Sequence, residues 1–196
     1  MDQRAPMGVI LAGGSGRRIG GDKAFVPLAG QPLVSHVIAR LAPQCRTLAI
    51  NALPDPRLDA FALPIIPDGS EGGHGPLSGI LAAMDWAAAE GAARVLTAPV
   101  DTPFLPENLA ARLSAIDAPI VLARTEDGLQ GTCGLWSVSL RGALAAALAT
   151  GIRKVTEFTE AQGAASVLFP EGAPPPFLNV NRPEDLARAE SLLAKT

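Results

Sequence analysis

Short apolar runs alternate along the chain with stretches whose apolar residues recur every three to four positions. Gly8–Leu11, Thr47–Ile50, Leu63–Ile66, Arg94–Ala98 and Ile120–Ala123 are brief, aliphatic and rich in β-branched residues, which predicts strands buried on both faces. Between them Leu33–Leu41, Gly79–Glu90 and Pro106–Ile116 carry helical spacing, the last with proline in its first turn, where the missing N–H is harmless. Strand, helix and strand in repetition make βαβ units, and four or five parallel strands follow. The C-terminal third is less regular. Cys133–Val138 and Ser166–Phe169 read as strands, Leu140–Ala149 and Lys154–Ala161 as helices, and a mixed sheet edge is expected there. After Pro174-Pro175-Pro176, Phe177–Asn181 reads as a short apolar strand and Pro183–Ala194 as a helix. The pattern predicts an α/β fold of three layers, α/β/α and Rossmann-like, with a mostly parallel, mixed-edge sheet over one domain (1–196) and ligands at the carboxyl ends of the strands.

The first strand opens into Gly13-Gly14-Ser15-Gly16-Arg17-Arg18-Ile19-Gly20-Gly21-Asp22-Lys23. Glycines let the backbone turn its N–H groups towards an anion, and Arg17, Arg18 and Lys23 add cations, so the segment reads as a phosphate-binding loop. It is not a P-loop, because Ala24 follows the lysine where that motif needs a hydroxyl. Nor is it a dinucleotide loop: Ile19 stands at the third glycine position, and the second strand ends at Asn51 instead of an acidic residue. The concentration of positive charge suits a triphosphate. A solvated Gly/Arg turn is the alternative.

Other strand ends should complete a site on the same edge. Asn51 ends the second strand, Asp68 closes Ile65-Ile66-Pro67-Asp68, and Asp101 follows the fourth in Pro99-Val100-Asp101-Thr102-Pro103. A carboxylate there is the hard oxygen ligand that magnesium takes alongside substrate phosphates, which makes Asp101 the expected metal ligand. The competing reading of Asp101 is the first residue of an Asp-Thr-Pro turn. Asn51 and Asp68 fit turn chemistry and ligand contact equally. The glycine-rich connection Gly69–Pro76 is long enough to act as a lid. Its His74 is not needed as a base, since phosphate oxygens are already ionised near neutral pH, and His36 on an apolar helix reads as structural.

Composition narrows the classes. The 196 residues carry a net charge of −3 with basic residues scattered outside the loop, so no electrostatic footprint for nucleic acid appears. Hydrophobic content is 48%, yet no apolar run approaches the ~18 residues of a membrane span. Met1–Pro6 lacks the apolar core of a secretory signal, and the cytoplasm is the expected location. Cys45 and Cys133 have neither zinc-ligand spacing nor a disulfide framework and read as buried small hydrophobes.

Leu11-Ala12-Gly13-Gly14 with Asp22-Lys23, the helix start Gly75-Pro76-Leu77-Ser78-Gly79, Asp101-Thr102-Pro103 and the closing Asn179-Val180-Asn181-Arg182-Pro183-Glu184-Asp185-Leu186 together resemble the molybdenum cofactor guanylyltransferases over almost the whole chain. That resemblance implies a nucleotidyltransferase domain and magnesium-dependent transfer of GMP from GTP to molybdopterin, giving the guanine dinucleotide cofactor and pyrophosphate. It implies GTP contacts at Leu11, Ala12, Gly13, Gly14, Lys23, Asn51, Asp68 and Asp101, with Asp101 also holding Mg2+. Arg17, Lys23 and Asp101 are the expected catalytic set. Molybdopterin is expected in the C-terminal half, at Asn179 and Asn181, and cofactor-biosynthesis proteins and apo-molybdoenzymes are the expected protein partners. Asn181 has a competing reading as the cap of the helix at Pro183. Ile19 departs from the family's usual methionine, a volume-conserving change, and Arg153-Lys154-Val155 matches the family's basic segment more loosely. A cytidylyltransferase of the same pathway would carry Leu-Ala-Ala-Gly in the loop, a sugar-phosphate nucleotidyltransferase a Gly-Thr-Arg run, and a non-catalytic nucleotide sensor would have no need of both Lys23 and Asp101.

Overall fold

The computed structural model describes residues 5–13, 22–69 and 75–194. Strand β1 (Met7–Leu11) is followed by a small hairpin, β2 (Pro27–Leu28) and β3 (Gln31–Pro32), and by helix α1 (Leu33–Leu41). Then come β4 (Thr47–Asn51), β5 (Ile65–Ile66), α2 (Pro76–Ala89), β6 (Arg94–Pro99), α3 (Leu109–Ser114), β7 (Ile120–Thr125) and β8 (Gly128–Ser137). The chain closes with α4 (Arg141–Ala149), α5 (Val155–Ala161), β9 (Ala165–Leu168) and α6 (Pro183–Leu193).

Seven strands form one sheet in the order β5-β4-β1-β6-β8-β7-β9. β5, β4, β1 and β6 run parallel, as do β7 and β9. The mixed character expected at an edge comes from β8, which lies antiparallel between β6 and β7, inside the sheet. The cause is a tight hairpin: Thr125 pairs with Gly128, and Gly128 takes the positive φ of +134° that the turn demands.

Alternation along the strands divides the core into two faces. Ile10, Ile50, Leu96, Ala98 and Val121 pack with Val34 and Val37 of α1 and Leu109 and Leu113 of α3. Val9, Ala49, Val95, Ile120, Leu122 and Trp136 pack with Ile80, Ala83 and Met84 of α2, Leu144 of α4 and Phe158 of α5. This is the expected three-layer sandwich. A third cluster (Val26, Leu28, Leu33, Phe104, Val180 and Ala189) attaches α6 and the segment before it to the β2–β3 hairpin. Among the described residues no helix is long and apolar enough to cross a membrane.

Several elements differ from expectation for local reasons. Helix α2 starts at Pro76 instead of Gly79, with proline in the first turn, where its fixed φ suits a helix. Helix α3 is shorter than Pro106–Ile116. The Gln44 carboxamide donates to the Pro106 carbonyl (2.9 Å) and accepts from Ala110 N–H (3.0 Å), taking over backbone groups of the would-be first turn. Residues 177–181 form no strand: Phe177 sits at φ +59°, which interrupts an extended repeat. This segment is held instead by Phe177 N–H to Phe104 O (3.3 Å) and Val180 N–H to Asp101 O (2.8 Å).

Candidate nucleotide site

Parallel pairing places the ends of β1, β4, β5 and β6 on one edge, with Leu11 opposite both Asn51 and Pro99, and Asn51 opposite Ile66. Strand β1 has β4 on one side and β6 on the other, so the connections diverge at β1, the kind of point at which open α/β sheets hold ligands. Two further backbone bonds carry the pairing past the strands, from Ala12 N–H to Asn51 O (2.9 Å) and from Val100 N–H to Leu11 O (3.0 Å). A cleft opens there. It is lined by Leu11, Ala12, Gly13, Lys23, Asn51, Asp68 and Asp101, together with Pro76, Gly79 and Thr132. Every described residue expected to touch nucleotide therefore lies in one cleft. Gly14, Arg17, Arg18, Ile19 and His74 lie outside the described residues.

Lys23 begins a 3-10 turn (Lys23–Phe25) just after the glycine-rich segment. Its ammonium donates to Asp101 Oδ2 at 2.6 Å and to Asn181 Oδ1. The two charged side chains are 17% and 15% exposed. At that burial an ion pair gains little net stability against its desolvation, but removing one partner strands the other charge. Asp101 is also the third residue of a turn that begins at Pro99, closed by Thr102 N–H (3.4 Å) and Thr102 Oγ1 (2.8 Å) on Pro99 O. Turn residue and cleft residue thus describe the same carboxylate.

The opposite wall is built around Asn51, which is 2% exposed. Its amide donates to Ile66 O (3.0 Å) and to Asp68 Oδ1 (2.8 Å), which ties the exposed Asp68 to the sheet edge. Both amide hydrogens are thereby used, and the group Asn51 retains is its carbonyl oxygen, an acceptor. Gly79 makes room for that oxygen. A Cβ at this position would lie 2.4 Å from Asn51 Oδ1 and 3.1 Å from Leu11 Cδ2.

A second set of charges anchors the far end of the glycine-rich segment. Arg57 pairs with Asp22 (2.9 Å) and Asp55 (2.5 Å), and its guanidinium stacks 3.8 Å from the centroid of the Phe25 ring. The Arg57 side-chain hydrogen bond, then the Arg57 backbone N–H, holds the Asp55 carboxyl down at about 2. Sequence reasoning missed Arg57, because nothing local connects it to Lys23. It missed Thr132 as well. Between Leu122↔Gly134 and Ala123↔Gln130 the β7–β8 register breaks, leaving Gly131, Thr132 and Cys133 without partners on β7. The glycines flanking Thr132 and Cys133 were the available sign of such a bulge.

Of the remaining expected residues, Asn179 is exposed beside the buried Val180, outside the cleft lining. Asn181 does not cap α6. Arg182 is the cap residue, and the Asp185 carboxylate accepts from the N–H groups of Asn181 (3.0 Å) and Arg182 (2.9 Å). Arg153 donates to the carbonyls of Leu148 (2.7 Å) and Ile152 (2.9 Å), and His36 Nε2 lies 2.8 Å from Leu28 O, a structural contact.

Among the described residues no group of three His, Cys, Asp or Glu side chains could hold a metal on its own. Of the two carboxylates lining the cleft, Asp68 accepts from the Asn51 amide through one oxygen, and Asp101 is the one expected to meet a cation. That donor suits a hard divalent ion which takes one or two carboxylates and fills its shell with phosphate oxygens and water.

Residues 8–165 match the model of the MobA-like NTP transferase domain. The chain is 51% identical over 191 residues to a molybdenum cofactor guanylyltransferase of Cereibacter sphaeroides, covering 96% of this chain and 97% of that one. It is 46% identical over 196 residues to one of Bradyrhizobium sp. (strain ORS 278), covering 95% and 92%. Its fold matches the crystal structure of molybdopterin-guanine dinucleotide biosynthesis protein A from Archaeoglobus fulgidus with a TM-score of 0.77, at 24% identity over 97% of this chain and 100% of that one. The chain belongs to the molybdenum cofactor guanylyltransferase family and carries its MobA-like NTP transferase domain.

Proposed function

We propose that the chain transfers GMP from GTP to molybdopterin, forming molybdopterin guanine dinucleotide and releasing pyrophosphate. The observation that carries this reading at residue level is the meeting of Lys23 and Asp101 (2.6 Å) in the cleft that also holds Asn51 and Asp68. A terminal phosphate oxygen of molybdopterin attacks the α-phosphorus of GTP. A new P–O bond forms, the bond from the α-phosphorus to the bridging oxygen breaks, and pyrophosphate leaves with that electron pair. Positioning and charge neutralisation supply most of the catalysis in transfers of this kind, so no side-chain nucleophile is needed.

Lys23 holds the triphosphate, with Arg17 as a second cation, and the N–H groups of the Gly13–Gly14 segment meet its oxygens. Leu11 and Ala12 form the floor beside the nucleoside. Asn51 Oδ1 and the second carboxylate oxygen of Asp68 present acceptors, which suit the N–H-rich edge of guanine. Asp101 holds Mg2+, which when bound supplies positive charge at the reacting phosphate. Asn179, exposed at the end of the C-terminal segment, contacts molybdopterin. One domain thus carries both substrates, in the cytoplasm where GTP is available, and passes its product to apo-molybdoenzymes.

Thermal unfolding with each nucleoside triphosphate and magnesium tests the reading, since a ligand bound only by the folded state raises the midpoint. GTP should stabilise well beyond CTP, ATP and UTP, and pyrophosphate release should require both GTP and molybdopterin. Equal shifts for GTP and CTP would remove the guanylyl assignment, and no pyrophosphate release with any pair would remove nucleotidyl transfer.

A further inference from the structure

We infer that Asp185 is a positioning residue for the nucleotide-binding lysine: it fixes the backbone of Asn181 so that the Asn181 carboxamide oxygen holds the Lys23 ammonium in the cleft. The inference rests on the reading of Lys23 given above.

Lysine is a poor candidate for precise placement by itself. Its long stem is flexible and its ammonium is a point charge without directional shape. Here two acceptors hold it, and they differ in kind. Asp101 is an anion, so its bond to Lys23 cancels the charge that a triphosphate would use. Asn181 is neutral, so its bond orients the ammonium and leaves the charge intact. An ammonium has three donors, and the pair leaves one for a ligand while Lys23 is on Asp101, or two once Asp101 is engaged elsewhere. Asn181 is thus the partner that can stay with Lys23 throughout.

Asn181 belongs to no helix or strand, and something must hold it. On one side Val180, fully buried among Leu28, Leu33 and Phe104, donates its N–H to Asp101 O (2.8 Å). On the other side the half-buried Asp185 accepts from the N–H groups of Asn181 (3.0 Å) and Arg182 (2.9 Å) through one oxygen, Oδ2. Asp185 sits in the first turn of α6, where the helix dipole favours a carboxylate. The same group therefore starts the helix and sets the residue that carries the lysine's neutral acceptor. Nothing about Asp185 alone distinguishes this from ordinary capping. The distinction is the line Asp185 to Asn181 to Lys23, which makes the carboxylate's effect on ligand depend on the lysine.

The test measures GTP affinity in the presence of magnesium by calorimetry, well below the unfolding midpoint of each variant. Asp185→Ala should lower the midpoint and weaken GTP binding about tenfold, the size of effect expected when a hydrogen bond to a charged group loosens. Asp185→Asn keeps an acceptor oxygen and should bring GTP binding back to within about threefold of wild type. Asn181→Ala leaves the α6 cap in place and should weaken GTP as Asp185→Ala does, so the inference stays testable if Asp185→Ala does not fold. In a Lys23→Ala background Asp185→Ala should cause no further loss, because coupled residues are not additive. A lowered midpoint with unchanged GTP affinity would reduce Asp185 to a helix cap, and an equal loss with and without Lys23 would overturn the route through the lysine. Wild-type GTP affinity in Lys23→Ala itself would instead bring down the reading of the cleft, and this inference with it.

Discussion

The two walls of the cleft are assembled differently. On the β1–β4–β5–β6 side Leu11, Asn51, Asp68 and Asp101 stand at or just past strand ends, so the sheet's own hydrogen bonds place them. On the C-terminal side Asn181 arrives on an irregular segment, positioned by one buried valine, two backbone bonds to the Asp101–Phe104 turn and a helix-capping carboxylate. A site residue on a strand end can be changed without disturbing what holds it. On the irregular segment, the packing that stabilises the chain is also what aims the side chain, so stability and ligand binding should move together.

Asp101→Asn probes the strand-end wall and carries the largest expected effect. It removes a charge at nearly constant volume, so turnover should fall roughly a hundredfold or more in a protein that still folds, with the unfolding midpoint lowered because the Lys23 ammonium loses its anion. Activity within about threefold of wild type, measured as pyrophosphate release, would make Asp101 a turn residue only. Val180→Ala probes the irregular wall. Truncating this fully buried side chain should cost about 2 kcal/mol of stability in denaturant unfolding. GTP binding should weaken in the same variant, because Asn181 is its neighbour. Lost stability with unchanged GTP affinity would break the contrast between the walls.

Gly79→Ala sharpens the comparison from inside a helix. Alanine is a better helix former than glycine, so a gain in stability would be expected on propensity alone. Its Cβ would instead meet Asn51 Oδ1 at 2.4 Å, and Asn51 must move. GTP affinity should fall about tenfold as the acceptor wall is displaced. Retained affinity in a calorimetric titration would show that Asn51 is not read by the nucleotide. Asn179→Ala carries the smallest effect, a few-fold rise in KM for molybdopterin with GTP affinity unchanged, as expected for one exposed hydrogen-bonding side chain. Wild-type kinetics for both substrates would move the second-substrate contacts off Asn179.

The parallel half of the fold was legible because its signals are local. Helix α1 falls on the expected Leu33–Leu41, and β1, β4 and β6 lie within a residue of expectation, since a run buried on both faces is apolar throughout. The cleft's acidic and amide residues were legible for the same reason: in a βαβ fold each follows its strand onto one edge. The shortening of α3 was not legible, because the Gln44 carboxamide that replaces its first turn lies 66 residues before Ala110 in the chain. Nor was the position of β8, which follows from a hairpin turn rather than from the apolar period.

The chain's apolar periodicity determined by itself an α/β sandwich whose strand ends bring Leu11, Asn51, Asp68 and Asp101 to one edge. Tertiary structure alone decided that Lys23 would meet Asp101 and Asn181, respectively 78 and 158 residues further along. Periodicity reports which face of an element is buried, whereas those contacts depend on which buried surfaces meet. Val180 seated against Leu28, Leu33 and Phe104 is a choice of packing partner that no local pattern encodes.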